Sequence, residues 1–252
     1  VLMLAVAAAC WSVGTALWAR GAAVHDVVVW WLAFLVLTIA GERLELSRFM
    51  PPSVAARRWF ASIAAGLPLS LVGPLAPWWH AAPAGPWAAQ GFGVALLALA
   101  GWRARYDGAR RTVRQPGVTR YVALCLLSGY VWLAVGGAVM AAAGLQPGRP
   151  TYDAALHALL LGFVFSMVFG HAPIVFPSVL RVALPYHPLF YVPLVLLHAA
   201  LALRLLGDAS GSFAPKHWGA LGSALALAAF IVVMASAVFR SRRTGPTRSP
   251  RI

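Results

Sequence analysis

Hydrophobic positions in this chain are gathered into long unbroken runs, and the polar positions are confined to short clusters of arginine, proline and glycine between them. The runs lie near residues 2–19, 27–46, 59–79, 86–103, 121–144, 153–178, 189–206 and 218–239. Each is close to the roughly 20 residues that a helix needs to cross the hydrocarbon of a bilayer. A segment in hydrocarbon must satisfy its own backbone amides, which a single helix does and an isolated strand does not. The pattern therefore predicts an all-α fold, a bundle of about eight transmembrane helices forming one membrane domain over residues 1–239. A basic tail follows over 240–252, with Pro246 and Pro250 set among arginines. The longest connection, near 104–120, is short, Arg-rich and interrupted by Gly108, Pro116 and Gly117, so no large soluble domain fits between the runs.

Composition agrees. The 252 residues are 61% hydrophobic and 10% charged, where a soluble domain carries roughly a quarter of its residues as charges; the mean hydropathy is +0.78. The opening run has no basic leader and no small-residue cleavage site before Arg20, and is read as the first span instead of a signal peptide. Cys10 and Cys125 both fall inside apolar runs, where a thiol behaves as a small buried hydrophobe, and two such residues make no disulfide framework.

The formal net charge of +14 changes the picture only once it is placed on the loops. Sixteen of the 20 basic residues fall on alternate connections: Arg43, Arg48, Arg57 and Arg58; Arg103 to Arg120; Arg181; and the tail from Arg240. Only Arg20, Arg149, Arg204 and Lys216 fall on the other side. By the positive-inside rule both termini are expected in the cytoplasm of a bacterial inner membrane, with an even number of spans. The same dispersal excludes nucleic acid as a partner, because the basic residues form no single interleaved patch. The expected partners are the lipid bilayer and other subunits of a membrane redox complex.

Trp30, Trp31, Trp59, Trp78, Trp79, Trp87, Trp102 and Trp218 flank the runs, as rings that prefer the headgroup layer do. Gly66 with Gly73, and Gly129 with Gly136, are two turns apart, which predicts close helix contact. Glu42 and Glu45 lie among Arg43 and Arg48 and read as an interfacial ion-pair cluster. No acid falls in the middle of a run, which weakens ion-coupled transport, and a small-solute transporter is the third functional reading. There is no P-loop, nucleophile elbow, H-E-x-x-H or C-x-x-C, and no catalytic residue is nominated.

Polar side chains in hydrocarbon are costly, so the histidines carry the functional interest. His25, His80 and His217 lie in or beside external loops, while His157, His171 and His198 lie within apolar helices. His157 and His171 are 14 residues apart, nearly four turns at 3.6 residues each, which predicts one face and an axial separation of roughly 21 Å. A single metal bound at about 2 Å cannot join them, so two sites at two depths are expected. The topology suggests an outer pair, His157 with His198, and an inner pair, His171 with His187. Arg149 and Asp153 stand beside the outer site, where they can hold a propionate or orient a histidine; capping is the alternative for Asp153. Met167, one turn before His171, is a candidate thioether ligand or a space-filler. The competing reading is that these imidazoles hydrogen-bond between helices.

The run Ala155-Leu156-His157-Ala158-Leu159-Leu160-Leu161-Gly162, followed by Met167, by Gly170-His171 and by the helix ending Ala202-Leu203-Arg204-Leu205-Leu206, resembles the corresponding segment of the NnrS family. That family comprises membrane haem- and copper-containing proteins linked to nitric oxide metabolism and grouped with the haem–copper oxidase relatives. The likeness covers residues 153–206. It implies haem b and copper as cofactors, with His157 and His171 as the metal or haem contacts; on the reading of the residues above, His198 is a further metal contact and His187, Met167 and Arg149 are further cofactor contacts. The implied role is electron transfer or the handling of a small diatomic ligand such as nitric oxide. The alternative is a non-catalytic accessory subunit of a respiratory or photosynthetic complex. The chain departs from the family in having Ala172-Pro173-Ile174 where a Thr-Gly-Arg usually follows the glycine-histidine pair, and in having eight runs against about twelve spans.

Overall fold

The computed structural model describes residues 2–46, 52–72, 86–182 and 184–244, and these are helical with no strand among them. The helices are α1 (Leu2–Ala19), α2 (Val24–Leu46), α3 (Val54–Val72), α4 (Pro86–Tyr106), a single turn α5 (Ala109–Thr112), α6 (Val118–Ala143), α7 (Pro150–His157), α8 (Phe165–Leu180), α9 (Tyr191–Ser210) and α10 (Phe213–Thr244). Between α7 and α8 the chain stays helical as a seven-residue π-helix, Ala158–Val164, and a 3-10 turn, Pro188–Phe190, leads into α9. Over its described residues, every predicted run thus lies on helix. The helices α2, α3, α6, α7 and α10 start a few residues before their apolar runs because their first turns hold polar residues and prolines. Ser53 accepts the Ala56 N–H at 3.2 Å ahead of α3, and Pro150 occupies the first position of α7.

Six of the helical segments are long and apolar enough to cross a membrane: Leu2–Ala19, Val24–Glu45, Val118–Ala143, Pro150–Val179, Pro188–Ser210 and Phe213–Arg240. The helices α3 and α4 match the third and fourth predicted spans but fall short of that measure over their described lengths. α3 opens with Arg57 and Arg58, and α4 carries Gln90 near its start and Arg103 and Arg105 at its end. Residues 73–79 of the third predicted span, with Gly73, Trp78 and Trp79, lie outside the described residues, as do Arg48, His80 and 245–252 of the tail.

The chain forms two compact units, Val1–Gly108 with Tyr130–Val164, and Ala109–Gly129 with Phe165–Ile252. In the first, α1 packs on α2 and α3 on α4. α4 and α6 approach backbone to backbone at Gly93 and Gly137: a Cβ on Gly93 would lie 2.4 Å from the Ala141 nitrogen and 2.7 Å from the Gly137 oxygen. Gly136, expected at a helix contact, lies against Leu159, whose Cγ would be 2.6 Å from an added Cβ. Trp59, Trp87 and Trp218 are exposed as lipid-facing anchors would be, but Trp30 and Trp102 are buried. Trp102 serves the interior: its indole N–H donates to the Ala56 carbonyl at 2.9 Å and its ring meets Phe60 at 4.7 Å.

In the second unit α9 and α10 form a tight hairpin around Gly211, which takes a left-handed φ of 65° at the end of α9. The hairpin closes so far because Gly207 and Gly219 lack side chains. A Cβ on Gly207 would lie 2.5 Å from the Lys216 nitrogen, and one on Gly219 2.6 Å from that of Arg204. Lys216 reaches the buried Asp208 carboxylate at 2.7 Å across the turn. Phe169 of α8 stacks on Phe230 of α10 at 4.0 Å, and Gly170 lets α8 close on Cys125 of α6. Cys10 and Cys125 are both buried free thiols.

Candidate functional site

The four histidines of spans six and seven are held in three different ways, and elementary hydrogen-bond chemistry sorts them. His157 lies at the last turn of α7, half-buried, with Nδ1 2.8 Å from the Asp153 carbonyl oxygen and 3.3 Å from the Asp153 carboxylate. His171 on α8 repeats the arrangement, with Nδ1 2.6 Å from the Met167 carbonyl oxygen. A carbonyl oxygen only accepts, so in both residues Nδ1 carries the proton. In a neutral ring the lone pair is then on Nε2, which meets no hydrogen-bond partner among the described residues. Each ring is thus fixed in the tautomer and orientation in which Nε2 can coordinate.

His187 is the reverse case. It is exposed and caps the 3-10 turn before α9, its Nδ1 accepting the Leu189 N–H at 3.1 Å. A backbone N–H only donates, so in the neutral ring Nδ1 is bare and the proton is on Nε2. His198 is committed within its own unit: Nε2 lies 2.9 Å from the Ser128 hydroxyl, which gives its single proton to the Cys125 carbonyl at 3.1 Å. His198 Nε2 is therefore the donor in that bond and offers no lone pair there.

Around these rings, Asp153 contacts His157 through both its backbone and its side chain. Arg149 is exposed, stands at the N-cap position of α7 and makes no side-chain capping bond. Met167 is buried, and its carbonyl holds His171. The common-face arithmetic for His157 and His171 assumes 3.6 residues per turn throughout. Seven of the intervening residues are wound as π-helix, whose i→i+5 bonding widens the turn and changes that register. Among the described residues no three His, Cys, Asp or Glu side chains gather into a metal-binding group.

A second polar cluster escaped the reading of the sequence. Asp107, just past α4, has its side chain 3% exposed and accepts from Arg43 of α2 at 2.9 Å and from the Tyr130 hydroxyl of α6 at 2.7 Å. Arg103, also buried, stands 3.8 Å from the same carboxylate, donates to the Ala40 carbonyl, and lies over the rings of Phe60 and Trp102 at 5.0 and 5.2 Å. Arg43 was expected to pair with its neighbours Glu42 and Glu45; its carboxylate partner in the structure is Asp107, 64 residues away. The signal that could have found it was the Arg103–Asp107 spacing of four at the end of a helix.

Long apolar helices, six of them able to cross a membrane, define a polytopic α-helical membrane protein. The chain belongs to a family described as a domain of unknown function, DUF8744, whose model matches residues 1–239. No curated protein and no solved structure matches it.

Proposed function

We propose that this protein is a haem-binding membrane protein of electron transfer or diatomic-ligand handling, in which His157 and His171 would hold the haem iron. The observation that carries the reading is the shared pose of the two imidazoles. Each donates its Nδ1–H to the carbonyl one turn back and leaves Nε2 without a hydrogen-bond partner among the described residues. Two single-imidazole positions fit haem, which takes one or two axial protein ligands. They do not fit copper held by three histidines, since His198 spends Nε2 on Ser128 and no three-donor group forms among the described residues.

Haem bound at such a position supplies one-electron exchange or reversible capture of a small ligand. The chain's own residues orient the rings through the Asp153 and Met167 carbonyls. The resemblance to the NnrS family supports the same reading through the segment that holds both histidines. The arginine distribution supports a bacterial inner-membrane location with both termini cytoplasmic and about eight spans, α3 and α4 completing the six apolar helices.

The test is a visible spectrum of protein purified in mild detergent from haem-replete cells. A Soret band and a pyridine haemochrome of b type are expected, each reduced in His157→Ala and in His171→Ala. Wild-type protein that is folded but colourless overturns the proposal, and so does a Soret band indifferent to both substitutions.

A further inference from the structure

Resting on the haem reading, the geometry points to Asp153 as a positioning residue that makes the His157 site the more electron-rich of the two. The two imidazoles share their backbone bond and differ in one respect. His157 has a carboxylate oxygen 3.3 Å from Nδ1 in addition to the carbonyl at 2.8 Å. At His171 the corresponding position, four residues earlier, is Met167, which offers a carbonyl and a thioether but no charge.

A negative charge on the far side of an imidazole draws its Nδ1–H outward and raises the electron density at Nε2. Asp153 and His157 are both about one quarter exposed, so the charge is only partly screened by solvent. An axial ligand so backed stabilises the ferric over the ferrous state and lowers the reduction potential. The bond to the Asp153 carbonyl persists whatever side chain stands at 153, so ring orientation and charge can be separated by substitution.

Asp153→Asn keeps the backbone acceptor, the side-chain length and a side-chain oxygen, and removes the charge. Redox titration of the Soret and α bands is carried out on detergent-purified full-length protein, with the components assigned by their loss in His157→Ala and His171→Ala. In Asp153→Asn the haem content is unchanged and the His157-dependent component moves to higher potential. Its reduced-to-oxidised ratio at the wild-type midpoint rises about tenfold, the low end of second-shell effects, or about 59 mV for one electron. The His171-dependent component stays in place, and Asp153→Glu restores the wild-type value in part.

Haem retained with both components unmoved overturns the role of Asp153 and leaves the haem reading standing. A shift of the His171-dependent component instead also overturns it. A wild-type preparation without haem overturns the reading on which it rests.

Discussion

Removing the charge of Asp107 while keeping its shape, as in Asp107→Asn, should be among the most damaging single substitutions in the first unit. The carboxylate, 3% exposed, neutralises Arg43 at 2.9 Å, accepts a hydrogen bond from the Tyr130 hydroxyl at 2.7 Å and lies 3.8 Å from Arg103. Hydrogen bonds to a charged group contribute about 1.5–3 kcal/mol each. Losing the negative charge also leaves two guanidinium groups with no counter-charge from Asp107, and breaking a buried pair in this way costs about 3–5 kcal/mol. The two routes agree, so a loss of about 3–5 kcal/mol is expected.

Arg43→Gln should cost less, because it leaves one carboxylate facing one guanidinium. The Arg43 Nε is already buried without a partner, so that atom loses no bond. The double variant should then fall short of the sum of the singles by about 1–3 kcal/mol, as expected for residues in one network. Denaturant unfolding of the detergent-solubilised protein, followed by far-UV circular dichroism, measures all four corners of the cycle. An Asp107→Asn cost below about 1 kcal/mol, or strict additivity with Arg43→Gln, refutes the account of a buried, coupled cluster.

Gly93→Ala should destabilise by about 1–3 kcal/mol through overpacking, since its Cβ would meet backbone at 2.4 and 2.7 Å. Gly101→Ala on the same helix meets nothing within 4 Å and should be neutral or stabilising by up to about 1 kcal/mol; the same unfolding measurement reads both. Gly207→Ala should weaken the α9–α10 hairpin, because the Lys216 backbone stands 2.5 Å from the new atom and cannot move as a flexible side chain does; faster proteolysis near Ser212 relative to wild type reports it. Single cysteines in a Cys10→Ala/Cys125→Ala background should react with an impermeant maleimide in intact cells when placed at Arg149, and only after permeabilisation when placed at Arg110. The reverse pattern refutes the proposed orientation.

The membrane helices were legible because hydrocarbon demands one kind of residue over one length, and that demand is written locally. Over their described residues the eight runs coincide with helices for that reason. The helix starts were less legible, as at α2 and α10, where Asp26 and Lys216 fall inside helices that hydropathy alone begins later. The π-helical winding of Ala158–Val164 has no composition signal, since its alanine, leucine, glycine, phenylalanine and valine suit an α-helix as well. At the candidate site, residue type marked out the histidines. Their chemical state had to come from what each Nδ1 faces: a carbonyl at 157 and 171, an amide N–H at 187. The contact between Asp153 and His157 was legible from their spacing of four. Asp107 was not paired with Arg43 because charges 64 residues apart leave no mark on a local pattern.

That separation also sets a schedule for biogenesis. Arg43 emerges at the end of α2, whereas its carboxylate follows 64 residues later and the Tyr130 hydroxyl 23 residues after that. At ribosomal rates of about 5–20 residues per second, Arg43 waits roughly 3–13 seconds for Asp107. Over that interval its charge is best served by water and lipid phosphate, which holds the end of α2 at the headgroup layer. Arrival of Asp107 then allows α2 and α4 to be drawn together, and Tyr130 brings α6 to the same point last, so the order of synthesis is also the order in which the contact can close.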